Sequence, residues 1–161
     1  MDEDGTFQGV MPLAGPIRVA VGPLPERFFI KNVIYNGAEA GPVFQPDPSA
    51  SIETLRIVLS DQLSELTGTV QQDRQPLLKT HVVLAPWPLI ANDGWSAATV
   101  VETDSEGRFH FPGLPPGTYR AVSLKSGDWE RKDLPGVLTG WLAAGEDIAL
   151  GDAESKAVIL K

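Results

Sequence analysis

The stretch Asp104-Ser105-Glu106-Gly107-Arg108-Phe109-His110-Phe111-Pro112-Gly113-Leu114-Pro115-Pro116-Gly117-Thr118-Tyr119-Arg120 spells turn, strand, tight turn, strand. Gly107 supplies the positive backbone dihedral that a hairpin turn wants, and Phe109 and Phe111 alternate toward one face. Pro115, Pro116 and Gly117 then reverse the chain into Tyr119. Short alternating strands punctuated by Gly and Pro are the pattern of an all-β sandwich. Tyr119 has the place of a tyrosine corner, with its ring inside and its hydroxyl bonded to nearby backbone.

Composition agrees with many turns and few long helices, because 161 residues contain 16 Gly and 14 Pro. A chain of this length buries a substantial core as one large or two small domains. The net charge is −8 with Lys and Arg scattered, which argues against nucleic acid or an anionic membrane as partner. No apolar run is long enough to span a bilayer, so no membrane insertion is expected. The absence of cysteine removes disulfides, thiolate nucleophiles and thiolate metal sites.

One fixed offset of 102 aligns the beginning of the chain with its second half. It pairs Gly5 with Gly107, Phe7 with Phe109, Gly15 with Gly117, Arg18 with Arg120 and Ile57 with Ile159. This predicts a tandem repeat: residues 1–62 form the closing part of a first β-sandwich module whose opening strands are missing, and residues 63–161 form a complete one. Met1-Asp2-Glu3-Asp4-Gly5 reads as the middle of a β module, so the chain is expected to be cut from a longer one. Strands are predicted at 6–11, 17–21, 28–35 and 55–59 in the first part. In the second they are predicted at 65–71, 81–85, 97–103, 108–111, 118–124, 147–150 and 156–160, with one short helical turn near 134–142. Seven short strands suit an immunoglobulin-like sandwich.

The run Leu66-Thr67-Gly68-Thr69-Val70, then Val82-Val83-Leu84 with Pro86, then Asp104, Gly107, Phe109 and Phe111, then Leu114-Pro115-Pro116-Gly117-Thr118-Tyr119, resembles carboxypeptidase regulatory-like domains. These belong with the transthyretin-like and Cna-B-type sandwiches. The resemblance implies a non-enzymatic module in a large exported bacterial protein, extracellular, periplasmic or at the cell surface. It also implies other domains of the parent chain, or other proteins, as partners. The chain departs from the pattern at Gln71-Gln72-Asp73-Arg74-Gln75-Pro76, where the family has a glycine before the proline, so a longer or differently shaped hairpin is expected there. The related hydrolases of purine catabolism end Tyr-Arg-Gly-Ser, whereas this chain ends Val158-Ile159-Leu160-Lys161.

No catalytic constellation, cofactor motif or metal set is constructed from the remaining residues. The two histidines, His81 and His110, fall in predicted strands, and alternation sends His110 away from Phe109 and Phe111. Asp2, Glu3, Asp4, Asp104 and Glu106 match no calcium loop, and acids beside a turn glycine cap the turn. Trp129 and Trp141 bracket Leu134, Val137 and Leu138, which suggests an apolar cover over one end of the sandwich. Trp87, Leu89, Ile90 and Trp95 belong to an apolar loop and mark an interaction surface. The structural signature is Gly107, Phe109, Phe111, Pro116, Gly117 and Tyr119. Two further readings follow: exposed tryptophans stacking on a polysaccharide, and self-association through sheet edges left open by the missing strands.

Overall fold

The computed structural model describes residues 5–9, 15–25, 27–41, 43–47, 49, 53–89 and 94–161. In chain order the first strands are β1 (Ile17–Arg18), β2 (Phe29–Tyr35), β3 (Ala38–Glu39), β4 (Val43–Phe44) and β5 (Leu55–Ser60). Then come β6 (Ser64–Gln72), β7 (Gln75–Pro76), β8 (His81–Pro86), β9 (Thr99–Glu102), β10 (Arg108–Leu114), β11 (Gly117–Leu124), β12 (Glu146–Leu150) and β13 (Ser155–Leu160). Two short helices, α1 (Ser126–Trp129) and α2 (Val137–Ala143), sit between β11 and β12. The protein is thus mostly β and divides into two compact units, Met1–Asp61 and Gln62–Lys161.

In the first unit, β2 lies between β3 and β5, and β1 pairs with β4, all antiparallel. Asn36 and Gly37 both adopt positive φ, the geometry of the two-residue turn that closes β2 onto β3. The two small sheets meet where the Tyr35 and Phe44 rings pack 4.7 Å apart, and Val33 is buried in the same unit. The Tyr35 hydroxyl donates to Glu53 and accepts the Asp47 amide at 2.9 Å. The expected strand at 6–11 is not formed over the described residues 6–9, and residues 10 and 11 lie outside the described set. Phe7 is accordingly 48% exposed, unlike its repeat partner Phe109 at 5%.

In the second unit two four-stranded sheets face each other, an immunoglobulin-like sandwich. One has the order β10-β6-β13 with β7 attached to β6, the other β12-β11-β8-β9. Alternate residues of each sheet fill the space between them: Leu66, Val70, Phe109, Phe111 and Leu160 from one, Val82, Leu84, Tyr119, Ala121, Ile148 and Leu150 from the other. The Phe109 ring lies against Gly68, its cross-strand neighbour, because a Cβ there would stand 2.5 Å from Phe109 Cζ.

Neither turn flanking β10 is a hairpin within one sheet. β9 and β10 belong to different sheets, as do β10 and β11, so the chain crosses the sandwich at both. At the first crossing Asp104 Oδ1 accepts the amides of Glu106 (2.7 Å) and Arg108 (2.8 Å), while Gly107 takes φ 71°. A Cβ on Gly107 would also lie 2.9 Å from Pro76 Cβ, so this glycine answers both a backbone and a packing demand. At the second crossing, made by Pro115 and half-buried Pro116 and entering β11 at Gly117, the Tyr119 hydroxyl donates to the Pro115 carbonyl at 2.6 Å. Tyr119→Phe is expected to cost about 1 kcal/mol, read as a lower urea midpoint. Burial pushes the Tyr119 phenol up to about 12. Its contribution is therefore fully present below the ordinary tyrosine value near 10 and is lost as pH rises toward 12. The melting temperature of the wild type should fall more steeply over that window than that of Tyr119→Phe.

Of the two expectations for the hairpin after Val70, longer or differently shaped, the longer one is not formed. Gln72 pairs with Gln75, and Asp73 and Arg74 both take positive φ, at 52° and 65°. A tight two-residue turn is built without glycine, against the preference of L side chains. The double substitution Asp73→Asn with Arg74→Gly should raise stability by about 1 kcal/mol, measured by urea unfolding.

Candidate interaction face

The two sheets of the second unit differ on their outward faces. β8 reads His-Val-Val-Leu-Ala-Pro, and its residues from Val82 to Ala85 are buried whichever way they point. Val82 and Leu84 face the other sheet, whereas Val83 and Ala85, with Val100, Val122 and Leu124, face a second apolar cluster built on Leu138 and Leu142 of α2. All four tryptophans pack on that cluster. The cover therefore lies over the outer face of a sheet, not over one end of the sandwich as the bracketing of Trp129 and Trp141 suggested.

The predicted surface residues Trp87, Leu89 and Trp95 are half-buried within this cover, and Ile90 lies outside the described residues. Trp95 Nε1 donates to the Lys132 carbonyl at 3.2 Å, and its ring meets Trp129 and Trp141 edge-on. The Arg120 guanidinium lies 4.8 Å from the centroid of Trp87, and the His81 imidazole stacks on Trp129 at 4.3 Å. A pyranose stacking on these two indoles would compete with side chains already there.

The opposite sheet presents a bare outward face. Cross-strand register places Arg108, Thr69 and Ile159 in one row and His110, Thr67 and Ala157 in the next, followed by Glu65 beside Ser155. β6 positions the central residues because its alternation sends Leu66 and Val70 inward and Glu65, Thr67 and Thr69 outward. A shallow groove of about 860 Å³ is lined by Thr67, Thr69, Arg108, His110 and Ile159 of this face and also by Val101 and Glu102 of β9 in the other sheet. Ile159 is 58% exposed within it. Glu65 accepts from the Ser155 hydroxyl at 2.7 Å and lies 3.1 Å from His110 Nε2, and those two hydrogen bonds hold its carboxyl below the usual range.

This face was missed in the sequence, although the alternation Glu65-Leu66-Thr67, with Thr69 and Val70 beyond, carried the signal. The arrangement offers hydrogen-bonding hydroxyls, one imidazole, one guanidinium and the apolar side chains of Ile159 and Ala157. Glu65 sits between Ser155 and His110, so no imidazole is placed to activate the hydroxyl. His81 is on the covered side, with Nε2 3.9 Å from Glu102. Asp104 is committed to its turn, and no group of three metal-ligating side chains occurs among the described residues; Asp2, Glu3 and Asp4 lie outside them.

No protein-family model matches the sequence, and no curated protein matches it. Among solved structures, the chain is similar to a Pseudomonas aeruginosa protein proposed to bind carbohydrate, with TM-score 0.39 and 15% identity over 62% of this chain and 88% of that one. It is also similar to the major pilin subunit of Bacillus cereus, with TM-score 0.42 and 11% identity over 86% of this chain and 57% of that one. The group B streptococcus pilus 2b backbone protein gives TM-score 0.41 and 16% identity over 88% of this chain and 50% of that one. The assignment of a β-sandwich rests on the strand pairings themselves.

Proposed function

We propose that the chain is a non-catalytic module of a larger exported bacterial protein, acting in adhesion, spacing or protein interaction. Residues 63–161 serve as a complete carboxypeptidase regulatory-like sandwich, and 1–62 as the closing part of a preceding one. The observation that carries this reading is the asymmetry of the second unit, in which helix and tryptophan cover one sheet while the other keeps an exposed polar face around Ile159. Such a face, with Ile159 and Ala157 among hydroxyls and one guanidinium, suits a polar protein surface. In support of the repeat, the antiparallel pair β1/β4 falls near the place that the offset of 102 assigns to β11/β12, with a register that differs by two residues.

A photo-crosslinking residue placed at Ile159 in the parent protein, in its native host, tests the reading. The control position is Leu134, half-exposed and outside the bare face. Discrete adducts at Ile159 and none at Leu134 are expected; equal labelling, or none at either, would sink the assignment of the face. Quenching of tryptophan fluorescence by a polysaccharide would instead favour the sugar-binding reading.

A second reading concerns the first unit, where Phe7, Phe28 and Leu59 are exposed and a groove of about 530 Å³ is lined by Phe7, Val21, Leu55, Ile57 and Leu59. Apolar surface of this kind favours self-association. Sedimentation velocity should show a concentration-dependent dimer that Leu59→Arg abolishes, and a strictly monomeric wild type would exclude it.

A further inference from the structure

We propose that the second unit is a mechanical clamp that resists tension applied along the chain, an inference that deepens the reading of the chain as a spacer or adhesion module. The observation is that the first and last strands of the unit, β6 and β13, are neighbours in one sheet and run parallel. Their register is unbroken over six pairs, from Ser155↔Glu65 to Leu160↔Val70. The chain therefore enters the unit at one end of this ladder and leaves it at the other. Tension between Gln62 and Lys161 slides β6 past β13 and loads the whole ladder together.

The entry end is reinforced beyond its backbone ladder. The Glu65 amide donates to the Glu154 carbonyl at 2.9 Å, and the Ser155 hydroxyl donates to Glu65 at 2.7 Å. Buried Ser64 donates to the Gly151 carbonyl at 2.5 Å and accepts the Glu154 amide at 3.0 Å. Each strand is also tied to a second element, β6 by its antiparallel pairing with β10 and β13 by Lys156 Nζ on the Ala149 carbonyl of β12 at 2.7 Å. β6 is held by a strand on each side, and β13, the edge strand, leaves the sheet only when its ladder with β6 breaks. Rupture under load follows the unfolding barrier, not the equilibrium stability, so the direction of pulling matters even when the bonds broken are the same.

The chain contains no cysteine, so introduced thiols are unique attachment points for single-molecule pulling on the full 161-residue protein. Gln62→Cys with Lys161→Cys applies shear to the β6/β13 pair. Gln72→Cys with Lys161→Cys pulls from the end where Val70 faces Leu160 and peels the same pair one bond at a time. At equal pulling speed, the shear geometry should need a rupture force several-fold higher and break in a single step. Ser64→Ala should lower the shear force and leave the peeling force unchanged, since peeling reaches Ser64 last. Ser155→Ala provides the same contrast if Ser64→Ala does not fold. Equal forces in the two geometries would overturn the clamp. Loss of the Ile159 adducts would overturn the interaction face alone.

Discussion

Gly68→Ala is expected to lower the stability of the second unit by about 3 kcal/mol, although the substitution adds one methyl group. Gly68 sits in the middle of β6, where a glycine ordinarily weakens a strand. Its inward position is taken up by the ring of Phe109 from the neighbouring strand. An added Cβ would lie 2.5 Å from both Phe109 Cζ and the Val158 carbonyl oxygen, and 2.8 Å from Phe109 Cε1. The carbonyl belongs to the ladder with β13 and cannot yield cheaply, and the ring is held by Phe111, 5.8 Å away centroid to centroid. Either Phe109 leaves its rotamer or β6 and β13 separate. Gly140→Ala supplies the contrast, because nothing stands within 4 Å of its Cβ position and it lies inside α2. It should stabilise by about 0.5–1 kcal/mol through helix propensity. All four tryptophans lie in the second unit, so fluorescence-detected urea unfolding reads that unit alone. A midpoint for Gly68→Ala equal to the wild type would show that the ring is free to move.

The second unit's strands were legible in the sequence because each signal there was local: Phe109 and Phe111 alternate, and Gly107 and the Pro-Pro-Gly run punctuate. What those signals could not state was which sheet each strand joins. A tight turn between two strands looks the same whether it closes a hairpin or crosses the sandwich, and here both turns around β10 cross. The covered outer face had a sequence mark that the alternation argument passes over. Four consecutive buried positions in β8, Val82 to Ala85, belong to a strand buried on both faces. The apolar loop with Trp87 and Leu89 was legible as apolar but not as folded down, because the helix that receives it lies some fifty residues away in sequence. In the first unit the offset of 102 located turn glycines but not partners. β2 corresponds to 131–137, which forms no strand in the second unit, and β5 pairs antiparallel with β2 where its counterpart β13 pairs parallel with β6.

Arg120→Ala is expected to loosen the helical cover without unfolding the sandwich, at a cost of about 2 kcal/mol. The guanidinium caps the C-terminal end of α2, donating from Nη1 to the carbonyls of Leu142 (3.2 Å) and Ala143 (2.7 Å). The Leu142 carbonyl also accepts the Gly145 amide at 3.0 Å, and the negative end of the helix dipole favours a cation beside both carbonyls. From the same side chain Nε donates to Asp147 Oδ1 at 2.7 Å, and the guanidinium plane covers Trp87. One residue on β11 thus joins α2, β12 and the loop after β8. Asp147 is largely exposed, so the ion pair itself adds little and the carbonyl bonds carry most of the effect. Arg120→Lys keeps the charge but not the planar fork that reaches both carbonyls and the carboxylate, and should recover only part of the loss. Because α2 touches the sandwich from outside, the damage should be local. Amide exchange over residues 137–143 should accelerate about 30-fold, as expected for 2 kcal/mol of local opening, while the amides of β6 and β10 stay protected. Uniform acceleration through both sheets would mean that the cover and the sandwich unfold as one unit, and that Arg120 holds up the whole fold.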